Sequence, residues 1–366
     1  MTEFKPGRRA LLLGAAALLA ASLIALSAAS AANAQTIEKT VKVAPGGLYE
    51  IVFNPADSDI YVAAVGPRGA NQAQIVRLDG QTLAVETPIN VSDRPLYGLG
   101  LNSRTQILYG TDTRTGAVSA IDLKTGAVVA TIRHDEEDDS AHVREVIVDE
   151  QGNKAYVTVV GGDAGDTSRP NLIWAIDGAT NKVERTIATP VGGLTGAAFD
   201  ASANRLYVTG MGSNEVAAID LATGETLGQW ASHGESAINV AVDSQGRRLF
   251  VANQKSGDLT VLNADTGALI HKVATGEGAL SVAYNGAVKQ IYVANRQAGT
   301  VTVLDSDTYA VKANLQTGTL PQTIAIDRAT NAVYVTNKAR GLPRNAPAGT
   351  PVPVDPTGDV VTLIRP

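Results

Sequence analysis

No cysteine occurs among the 366 residues. Disulfides, Cys-ligated zinc, thioether-linked haem and thiol nucleophiles are therefore excluded. Aromatic residues make up only 4% of the chain, so platforms on which single-stranded nucleic acid stacks are sparse. Positive charge is in deficit too: 30 Lys and Arg stand against 36 Asp and Glu, a net of −6. That balance argues against a dedicated polyanion binder, though not against a local basic patch. After residue 34 no apolar run is long enough to span a bilayer. Enzyme signatures are missing as well: there is no G-x-S-x-G, no H-E-x-x-H, no P-loop and no dinucleotide glycine fingerprint. The glycine-rich stretch Gly161-Gly162-Asp163-Ala164-Gly165 has no following lysine and reads as a loop.

The amino terminus carries an export pattern. Lys5, Arg8 and Arg9 precede an apolar run over residues 10–29, and Ala32-Asn33-Ala34 fits a small-x-small cleavage site. The expectation is a signal peptide over residues 1–34, cleaved after Ala34, and a mature periplasmic chain beginning at Gln35. Arg8-Arg9 raises the twin-arginine route, but the residues after the pair fit the general route better. Cleavage removes three bases and one acid, so the mature chain is two charges more negative than the whole.

The rest is organised by a repeat. An aromatic residue followed by a small or β-branched one recurs at Tyr61-Val62, Tyr109-Gly110, Tyr156-Val157, Tyr207-Val208, Phe250-Val251, Tyr292-Val293 and Tyr334-Val335, between 42 and 51 residues apart. A period in the forties marks four-stranded propeller blades. Each unit opens with an alternating apolar strand ending in Asn or Asp, such as Ile51-Val52-Phe53-Asn54 or Ala197-Ala198-Phe199-Asp200. The aromatic strand follows, then a variable loop and a third strand. That strand ends in a tight turn such as Asp122-Leu123-Lys124-Thr125-Gly126 or Asp220-Leu221-Ala222-Thr223-Gly224, where the acid caps the turn and Gly accepts a positive φ. A polar fourth strand closes the unit. No sustained helical period interrupts the pattern, so the class is all-β. The last unit has three strands, ending in Val360-Val361-Thr362-Leu363-Ile364, while residues 37–43 read as a fourth strand with no unit before it. Pairing the two completes a seven-bladed β-propeller, its last blade closed by the N-terminal strand, and removes two open sheet edges.

Tyr334-Val335-Thr336-Asn337, with its near variants Tyr292-Val293-Ala294-Asn295 and Phe250-Val251-Ala252-Asn253, resembles the signature of the YVTN-repeat β-propellers. The resemblance covers residues 35–366. With the export pattern and the long loop before the last strand, it looks most like the YncE-like periplasmic branch. It implies architecture and not a single chemistry, because a fold does not carry a function with it.

The site is expected on the face bearing the loops between second and third strands. Three are long: residues 65–74, 161–171 and 337–358, the last containing Pro343, Pro347, Pro351 and Pro353. Arg68, Arg114, Arg169, Lys255, Arg296 and Lys338 put a base in or beside six of the seven, and Arg340 and Arg344 add two more. Convergent bases at a channel mouth suit a carboxylate or phosphate. Arg144 enters from the third blade and is expected to face Arg296 and Lys338. Tyr49 and Tyr97, each five residues before a strand-closing Asn, flank the mouth. His134, His142 and His233 are expected on the same rim, with Glu235 beside the last. His142 and Glu145, three apart on a strand, are expected to face opposite sides and not to share an ion. The run His134-Asp135-Glu136-Glu137-Asp138-Asp139 offers Asp135, Glu136 and Asp138 to a cation, but it lacks the spaced ligands and turn glycine of a calcium loop and reads first as a solvated charge run. Trp174 is expected to pack between blades.

Together these features read as an exported monomeric scaffold, without cofactor, holding an anionic small molecule or a periplasmic partner protein. The alternatives are a lactonase- or hydrolase-type propeller enzyme, the runner-up that the resemblance admits, and weak binding of single-stranded nucleic acid.

Overall fold

The computed structural model describes residues 1–2, 35–67, 70–135, 140–342 and 350–366. Contacts divide the chain into Met1–Ala34 and Gln35–Pro366, and every described strand belongs to the second unit. The expected signal segment lies outside the described residues apart from Met1 and Thr2, as do Arg68, Glu136, Asp138 and Arg344.

The described residues form seven four-stranded antiparallel sheets and no helix. Six sheets are built from consecutive strands; the seventh combines Pro321–Asp327, Ala332–Asn337 and Val360–Arg365 with the N-terminal strand Thr36–Lys42. Thr36 lies opposite Arg365 and Lys42 opposite Val360, with one register shift between Ile37 and Lys39. The ring is closed by its two ends, as the strand count requires.

The recurring aromatic residue explains why seven sheets become one body. Tyr61, Tyr109, Tyr156, Tyr207, Phe250, Tyr292 and Tyr334 are all buried. Each leaves its own blade to pack into the next. Tyr61 joins Leu96, Leu99 and Leu108 of blade two, Tyr156 joins Leu194, Leu206 and Val208 of blade four, and Tyr334 joins Leu48, Ile51 and Val62 of blade one. The core is thus a set of interblade seams, each keyed by one ring that removes a large apolar area from water. Trp174 lies in the seam between blades two and three, with Tyr109 and Val143.

The asparagine of the Y-V-x-N signature is structural. Buried Asn295 donates to Thr300 Oγ1 at 3.1 Å and Thr302 Oγ1 at 2.8 Å, and Asn253 donates to Asp258 and Thr260 in the same way. These bonds satisfy the buried amide N–H groups across the hairpin, while the amide oxygens of Asn253 and Asn295 are buried without a partner among the described residues. The third-strand turns are capped as the sequence suggests: Asp220 Oδ1 accepts from the Ala222 and Thr223 N–H groups at 2.8 Å, and Gly224 takes a φ of 81°.

In four of the seven blades the Asn or Asp closing the innermost strand does more than cap its own turn. Asn54 donates to Gln106 of the next blade at 2.9 Å, Asn102 to Asn153 at 2.9 Å and Asn285 to Asn331 at 3.0 Å, while Asp200 accepts from Arg247 at 2.6 Å. Each partner is the positive-φ residue that starts the neighbouring aromatic strand. Polar latches therefore tie adjacent blades together on the face opposite the long loops.

Candidate functional site

The innermost strands end at a central channel, and their register decides what faces it. Aligned on the closing Asn or Asp, the residues five back are Tyr49, Tyr97, Arg144, Thr195, Ile238, Leu280 and Gln322. The residues four back are Glu50, Gly98, Glu145, Gly196, Asn239, Ser281 and Thr323. Both positions turn inward because most of these strands carry a register shift there, between Val143 and Val146 in blade three and between Leu48 and Ile51 in blade one. A bulge re-aims side chains that strict alternation would send to opposite faces. It also corrects the expectation that His142 and Glu145 face opposite sides, since both line the same cleft.

That cleft, about 640 Å³, opens on the long-loop face and is lined by both positions of every blade except the fourth, whose Thr195 is buried, together with Thr113, Arg114, His142, Met211, Gln254 and Arg296. A second cavity of about 660 Å³ opens on the other face, its wall mixing polar groups such as Ser202, Ser244 and Arg328 with apolar ones such as Ile147, Phe199, Val240 and Ile324. Glu50, Glu145, Asn239, Ser281 and Thr323 line both. They form a polar waist between the charged chamber and the second cavity.

The structure brings six of the expected groups into the charged chamber: Tyr49, Tyr97, Arg114, His142, Arg144 and Arg296. The two tyrosine rings meet edge to face at 4.8 Å. Arg114 lies over Tyr97 at 5.7 Å, and the Lys338 ammonium over Tyr49 at 3.9 Å while also donating to its hydroxyl. Lys338, expected beside Arg296 on the same side of the mouth, thus touches the chamber through Tyr49 and is not itself one of its lining residues. Arg169 is exposed beside Asp166, 3.8 Å away, and Arg340 is exposed on the loop after Lys338. Neither lines the chamber, and nor does exposed His233 or Lys255, which pairs with Glu235 at 2.8 Å. His134 is exposed, 6.2 Å from the Trp174 ring. The loop after Asn337 is anchored at its base, where Asp355 accepts from Arg340 N–H and Thr319 Oγ1 and Asp359 accepts from the Gly47 and Ala339 N–H groups.

The electrostatics of the waist are unusual. Burial pushes the Glu50 carboxyl up to about 7, against the opposing pull of Thr323, the Ile51 N–H and Arg144. Burial and the charge of Glu50 push Glu145 up to about 8, although Arg144, the Ala197 N–H and the Asn239 amide favour its ionised form. Arg144 is depressed by the same burial, and the two glutamates oppose that shift. His142 is lowered by burial and by Arg144. These groups are walled by protein yet partly exposed to the channel, where charge is costly but water still enters.

The arginines are short of partners. Among the described residues the Arg144 guanidinium makes no hydrogen bond and no ion pair within 4.0 Å. Arg296 Nε is buried without a hydrogen-bond partner. Elsewhere buried arginines are neutralised: Arg248 holds Asp243 at 2.7 Å and Arg247 holds Asp200 at 2.6 Å. For a cation, Asp59, Asp79 and Glu86 are the one group of three carboxylates close enough among the described residues. Arg77 already occupies that cluster, at 2.5 Å from Asp59 and 3.0 Å from Glu86.

A carboxyl held neutral by the fold but ionised above about 4.5 in the unfolded chain makes stability fall as pH rises. The contribution is complete below 4.5 and is lost on the way through about 8. Glu145→Gln is therefore expected to melt like the wild type at pH 5 and roughly 1–3 °C higher at pH 9, a gap kept small by channel water. Scanning calorimetry at the two pH values checks this; equal gaps would mean that the carboxyl does not titrate in that window.

Glu50, Asn239 and Thr323 escape a reading that looks for charge on loops. Counting four residues back from the closing Asn or Asp of each innermost strand finds them all.

No protein-family model matches the chain. It is 30% identical over 260 residues to the uncharacterized protein YncE of Escherichia coli O157:H7, covering 68% of this chain and 71% of that one. It is also 30% identical to YncE of Escherichia coli K12 over 268 residues and to YncE of Salmonella typhimurium LT2 over 267, in each case 70% of this chain and 72% of the relative.

Proposed function

The chain belongs to the YncE family of seven-bladed β-propellers, and from that premise we propose that it is an exported binding protein holding a small anion in the charged chamber. The observation that carries this is the Arg144 guanidinium, enclosed in the channel with no partner of its own among the described residues. A buried cation is costly unless it is paired, and the missing counter-charge is what a ligand carboxylate or phosphate supplies. Arg296, its Nε also unsatisfied, lines the same chamber, and Arg114 stands at its edge. A concave site with a few converging polar groups and apolar walls is the usual form of a small-molecule pocket. The amino-terminal pattern supports a periplasmic address, and the ring, closed by its own ends, supports a protein that works as a monomer.

The test is calorimetry with sulfate and succinate on protein recovered from a periplasmic extract, its amino terminus checked for Gln35. Binding by the wild type is expected to weaken by about 1–3 kcal/mol in Arg296→Ala, the scale of one charged hydrogen bond, and by at least as much in Arg144→Met. Equal affinities in all three proteins would remove the chamber from anion binding.

A further inference from the structure

Two glutamates of the chamber have no part in holding an anion. Glu50 and Glu145 stand in the same channel as Arg144, yet neither carboxylate comes within 4.0 Å of a cation among the described residues. Opposite charges placed together for structural reasons usually close into ion pairs, as Arg248 and Asp243 do. Here they stay apart. A ligand that was only an anion would be repelled by either group once ionised, and glutamine at either position would serve it better.

We propose that the ligand is a small zwitterion: an acid group held by Arg144 and Arg296, and a protonated amine held by Glu50 and Glu145. This rests on the anion site proposed for the chamber and extends it. The acceptors are in place. Glu145 receives only the Ala197 N–H and long contacts of 3.3 and 3.5 Å from Asn239, so a carboxylate with about four lone-pair sites keeps room for an ammonium. Asn239 is fixed by accepting the Val282 N–H at 3.1 Å. The walls suit the body of such a molecule. Blades one to three and Arg296 of blade six bring the charged groups, while Met211, Ile238 and Leu280 of blades four to six present an apolar surface to a short hydrocarbon stem. The protons balance: an ammonium arriving at neutral pH stabilises the ionised carboxylates, and the protons they held go to solvent.

Two kinds of probe are expected to behave in opposite ways. Matched pairs are titrated by calorimetry: glycine against acetate, β-alanine against propionate, 4-aminobutyrate against butyrate, 6-aminohexanoate against hexanoate, and 2-aminoethylphosphonate against ethylphosphonate. In at least one pair the amine-bearing member is expected to bind tenfold or more tightly than its partner. Repeating that titration in buffers of different ionisation enthalpy is expected to reveal proton release near pH 7. The Glu145→Gln and Glu50→Gln variants, which keep side-chain shape, are expected to weaken the amine-bearing probe at least tenfold while leaving the plain acid unchanged or tighter. Sulfate, whose charge is constant from pH 6 to 9, is expected to bind more weakly as pH rises and the glutamates ionise, whereas the zwitterion holds or gains affinity. His142, lowered by burial and by Arg144, adds charge only below that range, and the other charged groups facing the chamber are Arg114, Arg144, Arg296 and, through Tyr49, Lys338. If sulfate binds but no pair favours the amine, or if the Gln variants tighten both members alike, the zwitterion is overturned and the anion site stands. If neither sulfate nor any probe binds, both readings fall.

Discussion

A chain ending at Gly358 is expected to lose the cooperative melting transition of the full-length protein. The missing strand, Val360–Arg365, is the third of the last blade and, among the described residues, the one strand that pairs with Thr36–Lys42. Val360, Val361, Leu363 and Ile364 are all buried. At about 1.5–3 kcal/mol for each such side chain, their loss amounts to roughly 6–12 kcal/mol, comparable with the whole net stability of a typical domain. Asn337 loses its bond to Thr362 Oγ1, and the seam keyed by Tyr334 loses Val361 and Leu363. Two sheet edges are exposed at once, which invites association between chains. Circular dichroism melting and size-exclusion chromatography of the truncated protein check this. A monomer with an unchanged transition would show that the seam between first and last blades carries little of the fold.

Gly98→Ala is expected to cost about 2–3 kcal/mol of stability and to weaken anion binding with it. A Cβ on Gly98 would sit 2.1 Å from the carbonyl oxygen of Arg144 and 2.8 Å from Thr111 Oγ1. Neither distance is tolerable, and the first is to backbone, so the innermost strand of blade three must move. Thr111 Oγ1 bridges the two strands here, donating to the Arg144 carbonyl at 2.7 Å and accepting from Gly98 N–H at 2.9 Å. The methyl group therefore dislodges the strand that aims Arg144 into the chamber. Gly341→Ala, whose Cβ would meet nothing within 4 Å, is the control. Denaturant melts give the stability and sulfate titration the affinity; a Gly98→Ala protein like the control in both would mean that the strand yields without disturbing the site.

Blade number, strand order and closure are legible in the sequence because each depends on a residue repeated seven times under the same physical demand. An aromatic ring must fill every seam, and an Asn or Asp must cap every innermost strand. The candidate site has no such repetition. Arg114, Arg144, Arg296, Tyr49 and Tyr97 come together, whereas Arg169, Arg340 and His233 share only a face with them. A loop position fixes the side of the ring on which a base lies but not its distance from the axis. Glu50 and Asn239 go unnoticed because their strands look ordinary in composition. His142 and Glu145 are misjudged because alternation fails at the bulge, and no residue type in that stretch marks it.

The two inward positions of the seven innermost strands have a consequence for divergence. In six of the seven blades they line one chamber around the axis, away from the latches on the opposite face, and Gly98 alone among these twelve is held to glycine by its neighbours. A duplicated gene could rewrite the occupant of one such position, as blade three holds Arg144 and Glu145 where blade six holds Leu280 and Ser281, while the strand pairings stay the same. Selectivity in such a ring is inherited as a short combination of letters, and relatives that agree on every aromatic key can still bind unlike molecules.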